Sequence, residues 1–128
     1  MSDGRLHDGF VPGRFPIDAY GNGGFRFADM SHRGSILVLP SGIHAWPVGS
    51  VAEITGGTLD PIFAESDALE LLLLGTGLDV AAVPARLRER LREAGICVDV
   101  MQTGAAARTY NILLAENRRV GAALIAVG

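Results

Sequence analysis

The sequence of 128 residues has no lysine, a single cysteine and no long apolar run. Because the P-loop of nucleotide-binding proteins needs a lysine on the phosphates, that motif is excluded. Cys97 has no second cysteine to pair with, so an internal disulfide is excluded as well. The longest apolar tail covers residues 120–127, whereas a membrane-spanning helix needs about 20 residues. We therefore expect no membrane insertion.

Charge and composition narrow the class of protein further. The formal net charge of −3 gives no electrostatic basis for binding nucleic acid, which depends on neutralising phosphates. Asp3, His7 and Asp8 stand where a signal peptide would need an apolar core, so the sequence predicts a cytoplasmic protein. Apolar residues make up 48% of the chain, as in a folded domain. We expect one domain over residues 1–128, with the turn-rich residues 1–19 packed on it as an arm.

The centre of the predicted fold is a β-α-β unit. The apolar run 69–74 predicts a strand buried on both faces, and the sequence Gly-Thr-Gly at 75–77 ends it in a tight turn. Apolar residues then recur at helical spacing between 83 and 94, and Gly95 follows at a position typical of a helix end. A second apolar run, 96–101, completes the unit as a parallel strand.

Shorter patterns place strands before this unit. Phe25-Arg26-Phe27 alternates as in a strand with both rings on one face. Residues 35–39 and 43–48 flank a Pro-Ser-Gly turn and predict a strand and its return. Trp46 in the return strand has two interpretations, a cap on the core or a surface anchor for a partner.

A helix and a last strand are predicted after the unit. Thr103 is a candidate N-cap for a helix over residues 104–116. Asn117 then stands where a helix ends in the left-handed conformation. Residues 119–127 are small and apolar enough for a central strand. These patterns together predict an α/β fold.

Two strand exits form the candidate binding site of the sequence. Gly75, Thr76 and Gly77 follow the first buried strand, Thr103 and Gly104 follow the second, and both groups precede helices. Open α/β sheets bind ligands beyond the carboxyl ends of their strands, and helix N-termini attract anions. We expect both exits at one edge of the sheet, as an anion or ligand site. The structural alternative is that the glycines only permit a tight turn, with positive φ at Gly75.

Two side chains of the last helix extend this candidate site. Arg108 lies one turn into the helix and can offer its guanidinium to a phosphate or carboxylate. Asn111 follows as a second polar candidate on the same helix. The alternative for Arg108 is an ion pair with a local carboxylate such as Glu116 or Asp99.

No catalytic constellation is complete in the sequence. The dinucleotide-binding pattern G-x-G-x-x-G is broken, since Val80 stands at the third glycine position. The histidines show no metal-like spacing with one another, with Cys97 or with carboxylates. No Ser-His-Asp set or pair of carboxylates stands out. We therefore predict no catalytic residue, no metal site and no cofactor.

Six segments, together with Trp46 and Thr103, come in the order of a known family. They are YGNGGFRF at 20–27, GSILVLP at 34–40, LLLGTG at 72–77, GICVDVM at 95–101, AAARTYNIL at 105–113 and RRVGAALI at 118–125. The pattern resembles the Mth-like domain of unknown function, the family of the mitochondrial respiratory complex I assembly factor and of the adipogenesis-associated Mth-like protein. The resemblance covers the chain from about residue 20 to residue 127.

The resemblance implies a single three-layer α/β domain with a central mixed, largely parallel sheet and an additional N-terminal β-hairpin layer. It also implies action through protein partners, because the mitochondrial member acts in assembly of an enzyme complex. We interpret the chain as a non-enzymatic protein-interaction module that assists assembly of a larger, respiratory-type complex, with Trp46 and Arg108 as candidate partner contacts. The alternative is a small-molecule-, anion- or nucleotide-binding protein or enzyme using the edge of the sheet. Self-association into a homo-oligomer stays open.

Overall fold

A six-stranded sheet forms the centre of the fold in the computed structural model, which describes residues 9–128. Its strands are β1 (Phe10–Pro12), β5 (Ser35–Leu39), β6 (Gly42–Trp46), β7 (Leu71–Gly75), β8 (Cys97–Met101) and β9 (Val120–Leu124). A smaller sheet contains β2 (Ala19–Gly21), β3 (Gly24–Phe27) and β4 (Met30–Arg33). The helices are α1 (Asp60–Ala64), α2 (Ala85–Glu93) and α3 (Thr103–Ala115). Residues 1–8 of the predicted arm lie outside the described residues.

The six strands lie in the order β1-β6-β5-β9-β7-β8. β7 is parallel to both of its neighbours, β8 and β9, and the remaining pairings are antiparallel. The predicted mixed sheet is confirmed, but only two of its five pairings are parallel, and both lie in the β7-α2-β8-α3-β9 segment. α2 carries the chain outward from β7 to β8, and α3 carries it back across β7 to β9. Because right-handed crossovers in opposite directions use opposite faces, the two helices cover different sides of the sheet.

Alternating side chains of the sheet supply two separate apolar cores. On one face Leu72 and Leu74 pack with Leu91 of α2, and on the other face Leu73 packs with Tyr110 of α3. These three leucines of β7 are fully buried, and burying one leucine contributes about 1.5–3 kcal/mol. The prediction that the leucine run is a strand covered on both faces is therefore confirmed.

The small sheet, in the order β2-β3-β4, lies in the same layer as α3. Phe25 and Phe27 of β3 are buried in the core that α3 also covers, and Arg26 between them is exposed. The predicted alternation is confirmed. So is the additional N-terminal β layer, which has a third strand beyond the predicted hairpin. Small sheet and α3, central sheet, and α2 with α1 make the three layers.

The ends of α2 and α3 agree with the sequence-based prediction, but the start of α3 does not. Gly95 after α2 has φ +85° and Asn117 after α3 has φ +61°, the left-handed conformation that was predicted. At the start of α3, Gln102 is the N-cap and Thr103 is the first helical residue. The prediction that Thr103 caps the helix is wrong, because its hydroxyl bonds across the sheet edge instead.

The hairpin β5–β6 pairs antiparallel from Ser35 opposite Trp46 to Leu39 opposite Gly42. The Trp46 side chain is only 4% exposed and packs with the α2-side core. Its indole Nε1 donates to the carbonyl oxygen of Thr58 at 2.9 Å. Of the two interpretations of Trp46, the structure supports the cap on the core, and the side chain lies too deep for the expected partner contact.

Candidate functional site

The two strand exits meet at one edge of the sheet, as predicted. β7 ends at Gly75 and β8 ends at Met101, and these two residues pair in the parallel register. The N–H of Thr76 donates to Met101 C=O at 3.0 Å, and the N–H of Thr103 donates to Gly77 C=O at 2.9 Å. We call residues 75–81 and 101–104 the carboxyl rim.

The Thr103 hydroxyl joins three segments of the carboxyl rim. It donates to the carbonyl oxygen of Ile125 at 2.7 Å and accepts the N–H of Gly77 at 2.9 Å. Thr103 has no exposed surface. Both hydrogen-bonding functions of this hydroxyl are therefore used inside the protein.

Thr76 shapes the loop that follows β7 in the same way. Its hydroxyl donates to Asp79 C=O at 2.7 Å and accepts the N–H of Ala81 at 3.0 Å. The loop folded around this side chain turns Leu78 and Val80 to solvent, with 72% and 65% of their surfaces exposed. The threonine hydroxyls of the rim are thus bonded inside the protein, and the loop exposes Leu78 and Val80 on either side of the exposed Asp79.

The glycines of the carboxyl rim serve close packing and one unusual turn. A Cβ on Gly75 would lie 2.8 Å from the Thr103 Cα. Positive φ occurs at Gly77, at +108°, and Gly75 is not among the positive-φ residues. The expected positive φ at Gly75 is therefore wrong, since that glycine is required by backbone approach instead. A Cβ on Gly104 would lie 2.1 Å from the Tyr20 hydroxyl oxygen, so Tyr20 covers the start of α3.

The Asn111 side chain binds the N-terminal arm at Ile17 and does not contribute to the carboxyl rim. Its side-chain Oδ1 accepts the N–H of Ile17 at 2.8 Å, and its Nδ2 donates to Ile17 C=O at 2.8 Å. We call this pair of bonds the Asn111 clasp. Tyr110 beside it donates to Phe15 C=O at 3.4 Å, and burial raises the pKa of Tyr110 to about 12, so the hydroxyl keeps its proton at neutral pH.

Arg108 is the exposed charge on α3. Within residues 9–128 no carboxylate lies within ion-pair distance of Arg108, and neither Glu116 nor Asp99 takes the role that the structural alternative gave it. Ile112, one turn further along α3, is 59% exposed. The rim residues therefore come together, Arg108 stays on the surface, and Asn111 is engaged elsewhere.

The structure also assembles Ser41, His44 and Glu65, a cluster that the sequence did not reveal. The Ser41 hydroxyl donates to Glu65 Oε2 at 2.5 Å, and His44 Nε2 lies 3.3 Å from Ser41 Oγ and 3.9 Å from Glu65 Oε2. Burial lowers the pKa of His44, and the Glu65 carboxylate acts in the opposite direction. No spacing signals this cluster, because Glu65 is 24 residues beyond Ser41.

The Ser41–His44–Glu65 cluster does not have the geometry of a catalytic triad. In a triad the carboxylate orients the ring nitrogen opposite the one that meets the serine. Here the hydroxyl and the carboxylate approach the same nitrogen of His44. Glu65 also accepts the N–H of Ser41 at 2.8 Å, so the cluster ties the β5–β6 turn to the end of α1.

Residues 9–128 contain neither a cluster of metal ligands nor a helix that could cross a membrane. No group of three or more histidine, cysteine, aspartate or glutamate side chains in that range could hold a metal ion. No helix in that range combines the length and apolar character that crossing a membrane requires.

An open groove of about 430 Å³ lies between α2 and β8. Arg88, Glu89 and Arg92 line it from the helix, and Cys97 and Val98 of β8 line it on the other side with Ile96, which precedes the strand. Cys97 is exposed there as a free thiol. The sequence analysis did not predict this groove, although α2 and β8 follow each other directly in the chain.

The family model described as a protein of unknown function, DUF498/DUF598, matches residues 17–125. The chain is also similar to NADH dehydrogenase [ubiquinone] 1 alpha subcomplex assembly factor 3 of Danio rerio, with 36% identity over 109 residues. That match covers 85% of this chain and 63% of the fish protein, so the chain spans less than two thirds of that relative.

Two solved structures share the fold. A crystal structure described as an outer membrane protein from Bartonella henselae has 54% identity and a TM-score of 0.88, covering 91% of this chain and 98% of that one. A solution structure of a Bordetella pertussis protein, described as an Mth938-like domain, has 31% identity and a TM-score of 0.76, covering 94% and 90%. The resemblance drawn from the six sequence segments is therefore confirmed.

Proposed function

Because the chain belongs to the DUF498/DUF598 family of proteins of unknown function, we propose that it is a non-enzymatic protein-interaction module that assists assembly of a larger, respiratory-type complex. The similarity to a named complex assembly factor over 85% of this chain carries the proposal. The matched region contains the whole β7-α2-β8-α3-β9 segment. A location in the cytoplasm, expected from the sequence, is part of the same proposal.

The exposed surface of the carboxyl rim supports protein contact over ligand binding. Ligand sites place convergent polar groups in a concave pocket. The hydroxyls of Thr76 and Thr103 are instead bound to backbone groups of the protein itself. The rim exposes Leu78 and Val80, apolar side chains of the kind that pack against another protein, beside the exposed polar side chains of Asp79 and Gln102.

The assembly role is tested by removing the protein from its own cell. We expect the amount of fully assembled NADH dehydrogenase complex, measured on native gels and by NADH oxidation in membranes, to fall and to recover when the chain is supplied again. Leu78→Asp with Val80→Asp should fail to restore it, and the control Arg86→Ala, on the exposed side of α2, should restore it. An unchanged level of complex after removal would overturn the proposal.

A second candidate is a small-molecule, anion or nucleotide site at the carboxyl rim. The exposed Arg108, without an ion pair among residues 9–128, favours it. A ligand at one hundred times its dissociation constant adds about 2.7 kcal/mol to the free energy of unfolding. We expect no such thermal stabilisation by phosphate, ATP or citrate. Stabilisation that is lost in Arg108→Ala and kept in Arg86→Ala would favour this second candidate.

A further inference from the structure

β8 is the outer strand of the central sheet on the side of the parallel segment. It pairs with β7 from Cys97 to Met101, and within residues 9–128 no strand pairs with its other edge. An outer strand has a row of backbone N–H and C=O groups that a further strand can pair with. We call this outward row the β8 edge.

The groups of the β8 edge belong to Val98 and Val100. The N–H of Cys97 donates to Glu70 C=O at 3.0 Å, and Met101 C=O accepts the N–H of Thr76 at 3.0 Å. Backbone groups alternate between the two sides of a strand in a parallel pair. Since the backbone N–H and C=O groups of the odd-numbered residues point to β7, those of the two valines point away from it.

The β8 edge has little protection against strand addition. Proteins usually protect such edges with proline, lysine, bulges or very short strands. β1, at the opposite side of the sheet, has three residues and ends at Pro12. β8 has five residues, no proline and no basic side chain, and its sole charge is Asp99.

The charges around β8 differ between the two faces of the strand. Val98 and Val100 pack against the α2-side core, so by alternation Asp99 points to the other face, where it is exposed. On the α2 face, Arg92 of the groove is paired with Glu89. Arg88 in the groove has no carboxylate within ion-pair distance among residues 9–128. An added strand therefore meets negative charge on one face and positive charge beside an apolar wall on the other.

This charge pattern disfavours a second copy of the chain. Pairing two β8 strands antiparallel over their whole length puts Val98 opposite Val100 and Asp99 opposite Asp99. Like charges directly opposite each other destabilise a pair of strands. A segment with a basic residue at that position instead gains an opposite-charge pair with Asp99.

We propose that the β8 edge binds an extended segment of a partner protein as a seventh strand, with a basic residue facing Asp99 between two apolar residues facing the α2 groove. This inference deepens the proposed interaction module and rests on it. Backbone bonds to Val98 and Val100 supply the affinity, and Asp99 with the groove supplies the selection, as in other cases of strand addition.

The test uses the full chain and two synthetic peptides, Ser-Thr-Val-Arg-Val-Thr-Ser and the same peptide with glutamate in place of arginine. Binding is followed by amide chemical shifts in NMR spectra and by fluorescence anisotropy. We expect the arginine peptide to bind about tenfold more tightly than the glutamate peptide. The largest shifts should be those of the Val98 and Val100 amides.

Two variants make the result specific. Asp99→Arg, at an exposed site, should reverse the preference so that the glutamate peptide binds more tightly. Val98→Pro removes an outward N–H without touching a bond to β7 and should abolish binding. The control Arg86→Ala, at an exposed position of α2 outside the groove lining, should bind like the wild type. Equal affinity for both peptides, no binding, or shifts centred away from β8 would overturn the inference, as would a dimer that Val98→Pro dissociates.

The same variants separate this inference from the assembly role. If removal of the protein lowers the assembled complex and both Asp99→Arg and Val98→Pro restore it fully, the assembly role stands and strand addition at β8 is overturned. If removal leaves the complex unchanged, the assembly role fails. The peptide titrations then test strand addition at the β8 edge by themselves.

Discussion

The carboxyl rim and the β8 edge are neighbouring parts of one sheet with opposite hydrogen-bond states. At the rim, one threonine hydroxyl bonds to both Gly77 and Ile125, and Thr103 is fully buried. At the β8 edge, the backbone groups of Val98 and Val100 have no strand partner among residues 9–128. The threonine hydroxyls at the position that α/β folds commonly use for ligands are therefore occupied by internal contacts, whereas the outer side of β8 keeps backbone groups that a further strand could pair with.

The strongest test of the internal contacts of the rim is Gly75→Val. The added side chain would begin 2.8 Å from the Thr103 Cα, and this backbone cannot move away without separating the strand exits. We expect a loss of about 3 kcal/mol in the free energy of unfolding, measured by urea denaturation. Melting like the wild type would show that the rim is loosely packed.

A matched control for that substitution is Gly77→Ala. Nothing lies within 4 Å of a Cβ at Gly77, but its φ is +108°. We expect a loss of about 1 kcal/mol from backbone strain alone. A cost equal to that of Gly75→Val would mean that close approach at Gly75 is no more costly than backbone strain at Gly77.

Thr103→Val tests the hydrogen bonds of the rim at nearly constant volume. The change leaves the Gly77 N–H and the Ile125 C=O without their partner in a buried position, which should cost about 2 kcal/mol. The control is Thr109→Val, because the Thr109 hydroxyl makes only a weak contact of 3.8 Å with Met101 Sδ. Equal effects of the two changes on urea denaturation would contradict the role of these internal contacts of the rim.

Amide hydrogen exchange should show the other half of the contrast. The Val98 and Val100 amides should exchange roughly ten times faster or more than the Cys97 amide, which is bonded to Glu70. Exchange is read from NMR spectra after transfer to deuterated water. Equal protection along β8 would mean that its outer edge is already covered in solution.

Asn117→Gly should have the smallest effect, because it touches neither region. Asn117 already adopts the left-handed conformation at φ +61°, which asparagine tolerates. Glycine relieves a little strain but adds freedom to the unfolded chain, so we expect a change within about 0.5 kcal/mol in thermal or urea denaturation. A clear loss would show that the Asn117 side chain has a role beyond ending α3.

Local patterns were sufficient for the elements of the fold but not for their neighbours. The leucine run of β7 and the alternation of Phe25 and Phe27 reflect which neighbouring side chains are buried. Such local hydrophobic patterns can be recognised in the sequence. Strand order depends on how the chain returns across β7 through α3, and no local sequence pattern predicts this connection. For this reason the convergence of the two exits was predicted, whereas the outer position of β8 and its groove were not.

The location of the candidate site was predicted from the sequence, but the roles of several of its residues were not. Thr103 has the side chain of a helix cap, but its hydroxyl donates to the carbonyl oxygen of Ile125, which follows β9. Gly75 has the residue type of a left-handed turn, yet it is needed for an approach of two backbones. Asn111 and Trp46 likewise have partners, at Ile17 and Thr58, far away in sequence. Such contacts are set by the finished fold.

The Asn111 clasp has a consequence for where the domain starts. A single carboxamide meets both backbone groups of Ile17, as a neighbouring strand would. The match to the family model begins at residue 17, the residue held in this way. A chain shortened to begin at Ala19 would leave that carboxamide facing water and uncover the Tyr110 ring. We therefore expect such a shortened chain to be less stable than the full chain, because it lacks the stretch of backbone that Asn111 binds.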